Sequence, residues 1–253
     1  MSFFETITHD VKPFRRCKII CDEPLHEKLN DQPLLKNCNH NGTFILICGK
    51  PGSGKSTLWH LLLCHKELFC NVFDKVYLFI PESSLRSFDE NSKIHKLPEE
   101  QIHHELTASA LEEVESEIDE NREKGWKSLV IFDDVQSSLK NKLILPLISR
   151  LAMNRRHKFL SIIMAVQTFH RVPREIRLAI TDLFIFEPTV ADRRDMKEDL
   201  IDLNEAKLAR IMELYRHHTT ENGKKAFIYF SMTHSKIFID WDKELKEIET
   251  LNT

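Results

Sequence analysis

An apolar run followed by a glycine-rich turn lies at residues 44–56, FILICGKPGSGKS. From Gly49 to Ser56 the turn matches the pattern G-x-x-x-x-G-K-[S/T] without a mismatch, and it holds three of the six glycines in the chain. Glycine permits backbone conformations and close approaches that a Cβ atom would block, so such a turn can surround a phosphate group with backbone N–H groups. The sequence therefore predicts a phosphate-binding loop (P-loop) between a buried strand and a helix. The alternative is a tight strand-to-helix turn without a ligand.

Each position of this loop has an expected role in binding Mg-ATP. We expect the ammonium group of Lys55 to contact the β- and γ-phosphates and the hydroxyl group of Ser56 to bind Mg²⁺. The dipole of the following helix favours an anion at its first turn. The predicted ATP-binding residues are Gly49, Lys50, Pro51, Gly52, Ser53, Gly54, Lys55, Ser56 and Thr57.

Two adjacent carboxylates, Asp133 and Asp134, follow the apolar run 128–132. In P-loop enzymes an acid at the end of such a strand holds Mg²⁺, and we assign this role to Asp133. We assign Asp134 as the general base that polarises the attacking water. The alternative for Asp134 is a cap on the next turn or helix, since aspartate is common at such positions.

A glutamine and a basic turn lie at opposite ends of the run 160–166. We interpret Gln167 as a sensor that hydrogen-bonds the γ-phosphate or the water. The alternative is a glutamine that satisfies backbone groups at a strand end. In the basic turn before the run, an arginine could act as a finger in a neighbouring subunit, although a solvated basic turn is the simpler interpretation. Arg174 and Arg177 could contact DNA or a neighbour, or form surface ion pairs.

The whole pattern alternates strands and helices. Nearly continuous apolar runs indicate strands buried on both faces, hence a mainly parallel sheet. Ser109 and Glu112 have the spacing of a capping box at a helix start. We predict strands at 43–48, 75–80, 128–132, 160–166 and 183–186, closing strands at 226–231 and 236–241, and helices at 56–65, 109–124, 139–154 and 195–218.

Composition limits the other classes of function. The net charge of −3 gives no support for a nucleic-acid binder, although basic contacts can be confined to a few loops. No apolar run approaches the ~18 residues that cross a bilayer, and no signal pattern opens the chain, so we expect an intracellular protein without a membrane span. The spacing of Cys17, Cys21, Cys38 and His40 fits no common zinc motif.

In this order, the motifs resemble those of the genome-packaging ATPases of poxviruses and other large DNA viruses and virophages, in the FtsK–HerA branch of P-loop motors. The resemblance covers about residues 43–188. The motifs that carry it are the P-loop, Pro81-Glu82, Ile131-Phe132-Asp133-Asp134, Arg156-His157, Gln167, Pro173 and Ile176-Arg177.

The resemblance implies an α/β P-loop NTPase fold of the RecA/FtsK type, with a mainly parallel sheet flanked by helices. The closing strands at 226–231 and 236–241 would add a C-terminal hairpin or edge strands to this sheet. The resemblance implies a homo-oligomeric ring, a pentamer or hexamer, that hydrolyses ATP with Mg²⁺ to pump double-stranded DNA into a preformed capsid. A capsid component is then a partner, and the setting is the cytoplasmic assembly site of an infected cell or the virion. It also makes Arg156 the finger in trans, with Arg155 as the fallback.

We expect residues 1–42 to form an extension that packs on the core and residues 43–253 to form the ATPase domain. Two other functions stay open. A nucleoside or nucleotide kinase also uses a P-loop, but it needs an arginine-rich lid and an acceptor pocket. A nucleotide-gated scaffold without hydrolysis would not need intact Lys55, Ser56, Asp133 and Asp134. A GTPase is disfavoured because the sequence lacks an Asn-Lys-x-Asp stretch.

Overall fold

The computed structural model describes residues 3–8, 42–64, 68–200, 203–222 and 226–248. Within these ranges the strands are β1 Phe3–Thr8, β2 Phe44–Cys48, β3 Lys75–Phe79, β4 Ile102–His103, β5 Ser128–Asp133, β6 Leu160–Val166, β7 Asp182–Ile185, β8 Ile228–Ser231, β9 Lys236–Ile239 and β10 Lys243–Ile248. The α-helices are α1 Lys55–Cys64, α2 Glu82–Leu85, α3 Ala108–Glu123, α4 Ile144–Asn154, α5 Arg174–Arg177, α6 Val190–Asp199 and α7 Glu205–Asn222.

The described strands form one sheet in the order β1-β10-β9-β8-β7-β2-β6-β5-β3-β4. The part from β7 to β4 is parallel, and β8, β9, β10 and β1 add antiparallel strands at the other edge. In the parallel part, Cys48 lies opposite Val166 and Asp133 lies opposite Ala165. The carboxyl ends of β2, β6 and β5 therefore lie side by side at one end of the strands, where open α/β sheets bind ligands.

Apolar residues on both faces of the central strands explain why the sheet is covered on both sides. All five residues of β2 are buried, and they alternate between the two hydrophobic clusters. Leu46 packs in the cluster that includes α3, α4 and α7, and Ile47 packs in the cluster that includes α1. Because successive side chains of a strand point to opposite faces, a continuous apolar run requires a layer on each face. The P-loop is thereby held on a rigid support.

Two helix predictions need correction at their ends. The start of α3 is capped by Thr107, whose hydroxyl accepts a hydrogen bond from the Ala110 amide at 3.2 Å, and the predicted Ser109–Glu112 capping box is wrong. The 139–154 prediction begins too early: Ser138–Lys140 form a 3₁₀ turn, and α4 starts only at Ile144.

The prediction of one helix over 195–218 is wrong, because two helices are found there. The first, α6, begins at a capping box in which Thr189 and Asp192 satisfy each other's backbone amides. A second start signal is Asn204, whose side chain accepts a hydrogen bond from the Lys207 amide at 2.9 Å. A helix start in the middle of the predicted segment ends the first helix, since a capping residue adopts a non-helical backbone.

Arg177 belongs to a buried ion cluster. Its guanidinium group lies 2.6 Å from Asp195 and 3.0 Å from Asp199, and it stacks over the ring of Phe169. Arg174 pairs with Asp199 from the exposed side. These pairs join α5 to α6, so the predicted alternative of ion pairing is observed for both arginines.

The closing strands predicted at 226–231 and 236–241 form the hairpin β8–β9. Beyond it, β10 pairs with β1, a strand of the predicted extension 1–42. Residues 9–41, including Cys17, Cys21, Cys38 and His40, lie outside the described residues. Among the described helices, none is both long and apolar enough to span a bilayer.

Candidate functional site

The P-loop connects β2 to α1, and two of its glycines meet specific steric demands. A Cβ atom at Gly49 would lie 2.5 Å from the hydroxyl oxygen of Ser53 and 2.9 Å from the Cβ atom of Phe186. Gly54 has a φ of +110°, a conformation that side chains with a Cβ atom rarely adopt. The loop is therefore tightly folded at these positions, as the motif predicts.

The P-loop and the first turn of α1 present polar groups that have no partner among the described residues. The backbone amides of Lys55, Ser56 and Thr57 donate to no acceptor among the described residues. The hydroxyl group of Ser53 is buried and likewise lacks a partner there. Buried polar groups normally have partners, so this surface suits an anion that accepts several hydrogen bonds at once.

Lys55 is held close to the loop. Its ammonium group donates a hydrogen bond to the carbonyl oxygen of Lys50 at 3.2 Å. Burial lowers the pKa of Lys55, and the carboxylates of Asp133 and Asp134 act in the opposite direction. A half-buried ammonium group next to unpaired amides adds positive charge to the same anion site.

The side chains of Ser56 and Asp133 meet across the end of the sheet. The Ser56 hydroxyl donates a hydrogen bond to Asp133 Oδ2 at 2.9 Å. Asp133 is buried, and burial raises its pKa against the opposing effects of Ser56, Trp59 and Lys55. A buried carboxylate whose charge is not fully compensated, beside a serine hydroxyl, offers the oxygen ligands that Mg²⁺ prefers. The residues present therefore fit a magnesium ion.

Asp134 and Gln167 form a second polar pair beside the carboxyl ends of β5 and β6. The Gln167 side-chain amide donates a hydrogen bond to Asp134 Oδ1 at 3.3 Å, and both side chains are exposed to solvent. Asp134 has a φ of +55°, which is uncommon for a residue other than glycine. This backbone turns the Asp134 side chain out of the strand while Asp133 stays buried. The two adjacent carboxylates thus have different environments.

Sequence reasoning missed Gln136, which is buried two residues beyond Asp134. Its side-chain oxygen accepts a hydrogen bond from the Gln167 amide at 3.0 Å. Its side-chain nitrogen donates to the carbonyl and hydroxyl oxygens of Thr168 at 2.9 and 3.0 Å. Gln136 therefore fixes the loop after β5 to the loop after β6, and it positions Asp134 against Gln167. A buried glutamine in a loop has no signature in sequence, because its partners lie 31 and 32 residues away.

Replacing Gln136 with alanine is expected to lower the rate of ATP hydrolysis about 10- to 100-fold while leaving the Kd for ATP unchanged, because small displacements of reacting groups are costly. Phosphate release at saturating ATP and fluorescence titration with an ATP analogue measure the two quantities. Gln101→Ala, which removes a buried glutamine outside the site, is the matched control. A wild-type turnover rate in Gln136→Ala, or an equal loss in both variants, contradicts the positioning role.

Arg155 does not fit the fallback role predicted for it. Its side chain is buried, and its guanidinium group donates hydrogen bonds to the carbonyl oxygens of Gly42 at 2.7 Å and Ala152 at 2.5 Å. Burial lowers the pKa of Arg155. These contacts hold the end of α4 against the segment before β2, and releasing the guanidinium group would leave two buried carbonyl groups without a donor.

Arg156 differs from Arg155 in its surroundings. Its side chain is exposed, and its guanidinium group has no ion-pair or hydrogen-bond partner among the described residues. The stem of Arg156 packs so closely on Gly42 that a Cβ atom there would lie 2.7 Å from the Arg156 Cγ atom. Arg156 precedes β6, whereas Gln167 follows it, so the two residues lie at opposite ends of this strand.

Comparisons with solved structures give the same fold. The DNA-packaging ATPase B204 from Sulfolobus turreted icosahedral virus matches with a TM-score of 0.56 and 16% identity, over 80% of this chain and 98% of that chain. The genome-packaging NTPase B204 from Sulfolobus turreted icosahedral virus 2, in complex with ATP-gammaS, has a TM-score of 0.55 and 15% identity over the same shares. The cytoplasmic domain of the Thermomonospora curvata type VII secretion ATPase EccC has a TM-score of 0.52 and 12% identity, over 82% of this chain and 24% of that chain.

These likenesses confirm the predicted fold class, an α/β fold of the P-loop NTPase type with a mainly parallel central sheet flanked by helices. No curated protein sequence gives a significant match to the chain. A family model described as Poxvirus A32 protein matches residues 32–253. Since this match covers most of the chain, the protein belongs to the Poxvirus A32 protein family, which confirms both the resemblance to poxvirus-type packaging ATPases and the prediction of a P-loop ATPase.

Proposed function

We propose that this protein is a motor that hydrolyses Mg-ATP to move double-stranded viral DNA into a preformed capsid. One observation supports this most: Ser56–Asp133 and Asp134–Gln167 pair beside the P-loop, as a water-activating ATPase requires. Membership in the Poxvirus A32 protein family and the fold shared with viral packaging ATPases support a role in viral genome packaging.

In the proposed reaction, the chain's own residues orient the substrate and move a proton. The amides of the P-loop and Lys55 bind the phosphates of ATP and stabilise the charge that develops on the γ-phosphoryl group. Asp134 accepts the proton of the attacking water, and Gln167 orients that water. Ser56 and Asp133 would hold Mg²⁺, which neutralises phosphate charge when it is bound.

Arg156 is proposed to complete the site of a neighbouring subunit. The seven residues of β6 span about 23 Å at the usual rise per residue, so Arg156 cannot reach the γ-phosphate bound by its own chain. Two large apolar side chains close to it in sequence, Met153 and Phe159, are exposed. Exposed apolar surface around an arginine that has no partner among the described residues suits a contact between subunits, and a closed ring repeats this contact around its axis.

The proposed partners are double-stranded DNA, a capsid component and further copies of this chain. The proposed setting is an infected cell, at the cytoplasmic site of virus assembly. A pentamer or hexamer would place DNA in a central channel, where a few loops supply basic contacts even though the whole chain carries a net charge of −3.

The test is phosphate release with and without double-stranded DNA, together with transfer of labelled phosphate to nucleosides and nucleotides. The motor predicts hydrolysis that double-stranded DNA accelerates and displacement of a bound triplex strand during translocation. Phosphoryl transfer to a nucleoside or nucleotide would favour the kinase alternative. An assembled protein that binds ATP without turnover would favour the non-hydrolysing scaffold.

A further inference from the structure

A cleft of about 710 Å³ adjoins the front half of the P-loop. One wall is the loop itself around Pro51, another is the segment 186–190 that follows β7, and the rest comes from α6 and α7. None of the site residues predicted beyond Ser53 lines this cleft. Because the cleft lies next to a phosphate-binding loop, a nucleotide bound by this loop would have one of its ends close to the cleft.

The strand order determines which end of a nucleotide faces the cleft. β2, which leads into the P-loop, lies between β6 and β7. Asp134 and Gln167, which would contact the γ-phosphate, follow β5 and β6 on one side of β2, whereas the cleft lies on the β7 side. A nucleotide with its γ-phosphate beside Asp134 therefore extends its other end, the ribose and base, toward the cleft.

The walls of the cleft are fixed by hydrogen bonds. The Tyr215 hydroxyl donates to the carbonyl oxygen of Ala226 at 3.1 Å and accepts from the Glu187 amide at 3.2 Å. Glu187 has a φ of +43°, a strained conformation that this bond helps to hold. These hydrogen bonds form without a ligand, so this wall of the cleft is preorganised, which reduces the entropy lost on binding.

A buried carboxylate joins the same wall to the loop that follows Gln167. Asp192 accepts hydrogen bonds from the Thr189 amide at 2.9 Å, the Thr189 hydroxyl at 2.7 Å and the His170 amide at 2.9 Å. Burial acts to raise the pKa of Asp192, but hydrogen bonds from Thr189 and His170 outweigh it and leave the pKa below its ordinary value. The cleft and the γ-phosphate side are thus parts of one fixed framework.

The chemistry of the lining suits a planar, uncharged ring system. Arg193 and Arg216 line the cleft, and neither guanidinium group has an ion-pair or hydrogen-bond partner among the described residues. Val190, Met212 and Ala226 add apolar surface. A guanidinium group stacks on aromatic faces, and apolar side chains cover the rest of such a ring.

We propose that this cleft binds the nucleoside part of the nucleotide, and that Arg193 and Arg216 stack on the base or bond to the ribose hydroxyls. The inference rests on the proposed function, in which the P-loop holds the phosphates. It adds two binding residues that no motif in the sequence indicates. Affinity for the nucleoside then comes from α6 and α7, and affinity for the phosphates comes from the P-loop.

The experiment compares two ligands, ATP and inorganic tripolyphosphate, which carries the phosphates without a nucleoside. Each competes with a fluorescent ATP analogue for the full chain, in wild type, Arg193→Ala and Arg216→Ala. We expect the Kd for ATP to rise about tenfold in each variant, which corresponds to about 1.4 kcal/mol, while the Kd for tripolyphosphate stays unchanged. Unchanged binding of tripolyphosphate also shows that the variants are folded.

Two matched controls replace arginines that lie outside the cleft. Arg194 neighbours Arg193 on α6 and pairs with Asp195, and Arg210 lies on α7 and pairs with Glu213. Neither Arg194→Ala nor Arg210→Ala should change the Kd for ATP. A wild-type Kd for ATP in both cleft variants overturns the inference, and so does an equal weakening of tripolyphosphate.

Failure of the proposed function has a different outcome. If tripolyphosphate does not compete in wild type, or if Lys55→Ala binds ATP and tripolyphosphate as wild type does, the P-loop is not the phosphate site. If Lys55→Ala weakens both ligands while the cleft variants bind as wild type, the P-loop assignment stands and the nucleoside assignment alone is wrong.

Discussion

Alanine at Lys55 is expected to reduce ATP hydrolysis at least about 100-fold and to weaken ATP binding, because removal of one preorganised charge or donor costs this much in comparable sites. The ammonium group of Lys55 is held at the P-loop by a hydrogen bond to the Lys50 carbonyl oxygen, and Asp133 and Asp134 favour its charged form. Phosphate release at saturating ATP gives the rate, and titration with a fluorescent ATP analogue gives the Kd.

Two further variants separate charge from geometry at this position. Lys55→Arg keeps a positive charge but replaces a compact ammonium group with a planar fork, so we expect it to recover binding better than turnover. Lys96→Ala removes an exposed lysine outside the site and serves as the control. Turnover of Lys55→Ala at the wild-type rate would remove the site assignment.

Replacing Arg156 with alanine is expected to lower hydrolysis in assembled rings about 1,000-fold while leaving the Kd for ATP unchanged, as arginine fingers contribute at least this factor to turnover. The physical reason is that Arg156 is exposed and its guanidinium group has no partner among the residues that the structure describes, so its loss removes no hydrogen bond or ion pair seen within the chain. Single-turnover hydrolysis and native mass of the same sample separate a chemical defect from a loss of assembly.

Mixed rings test whether the arginine acts in trans. An Arg156→Ala subunit retains Asp134, and an Asp134→Asn subunit retains Arg156, so a mixture contains contacts in which both groups are intact. We expect each variant alone to be inactive and the mixture to regain part of the wild-type rate. Arg122→Ala, which removes an exposed arginine of α3, should behave as wild type. A mixture that stays inactive, with rings intact by native mass, contradicts the cross-subunit role.

Local signals were sufficient for five of the six described parallel strands and for the P-loop, whereas the two-residue strand β4 was not predicted. The predicted run 160–166 coincides with β6, and the other four predicted parallel strands agree to within one residue at each end. Such strands are buried on both faces, so their residues must be apolar throughout, and a short apolar run is visible without knowledge of its neighbours. The glycine pattern is equally local, because the backbone conformation or the close packing at each loop position itself requires a residue without a Cβ atom.

The sequence did not show which polar residues cap helices or which arginine is buried. The prediction of a single helix over 195–218 failed because polar helices such as α6 show little periodicity, and the caps at Thr189 and Asn204 lie among many similar polar residues. Arg155 and Arg156 are identical as residues, yet only the fold buries one and exposes the other.

The sequence by itself determined that a phosphate-binding loop follows a buried strand, and that acidic and amide side chains stand at the ends of two others. Only the tertiary structure decided which of these groups meet: Ser56 with Asp133, Gln167 with Asp134, and Gln136 between the two loops. The physical reason is one of range. Neighbouring residues determine the backbone conformation and the apolar burial along a strand. A hydrogen bond between loops depends instead on the strand order and register that bring distant residues together.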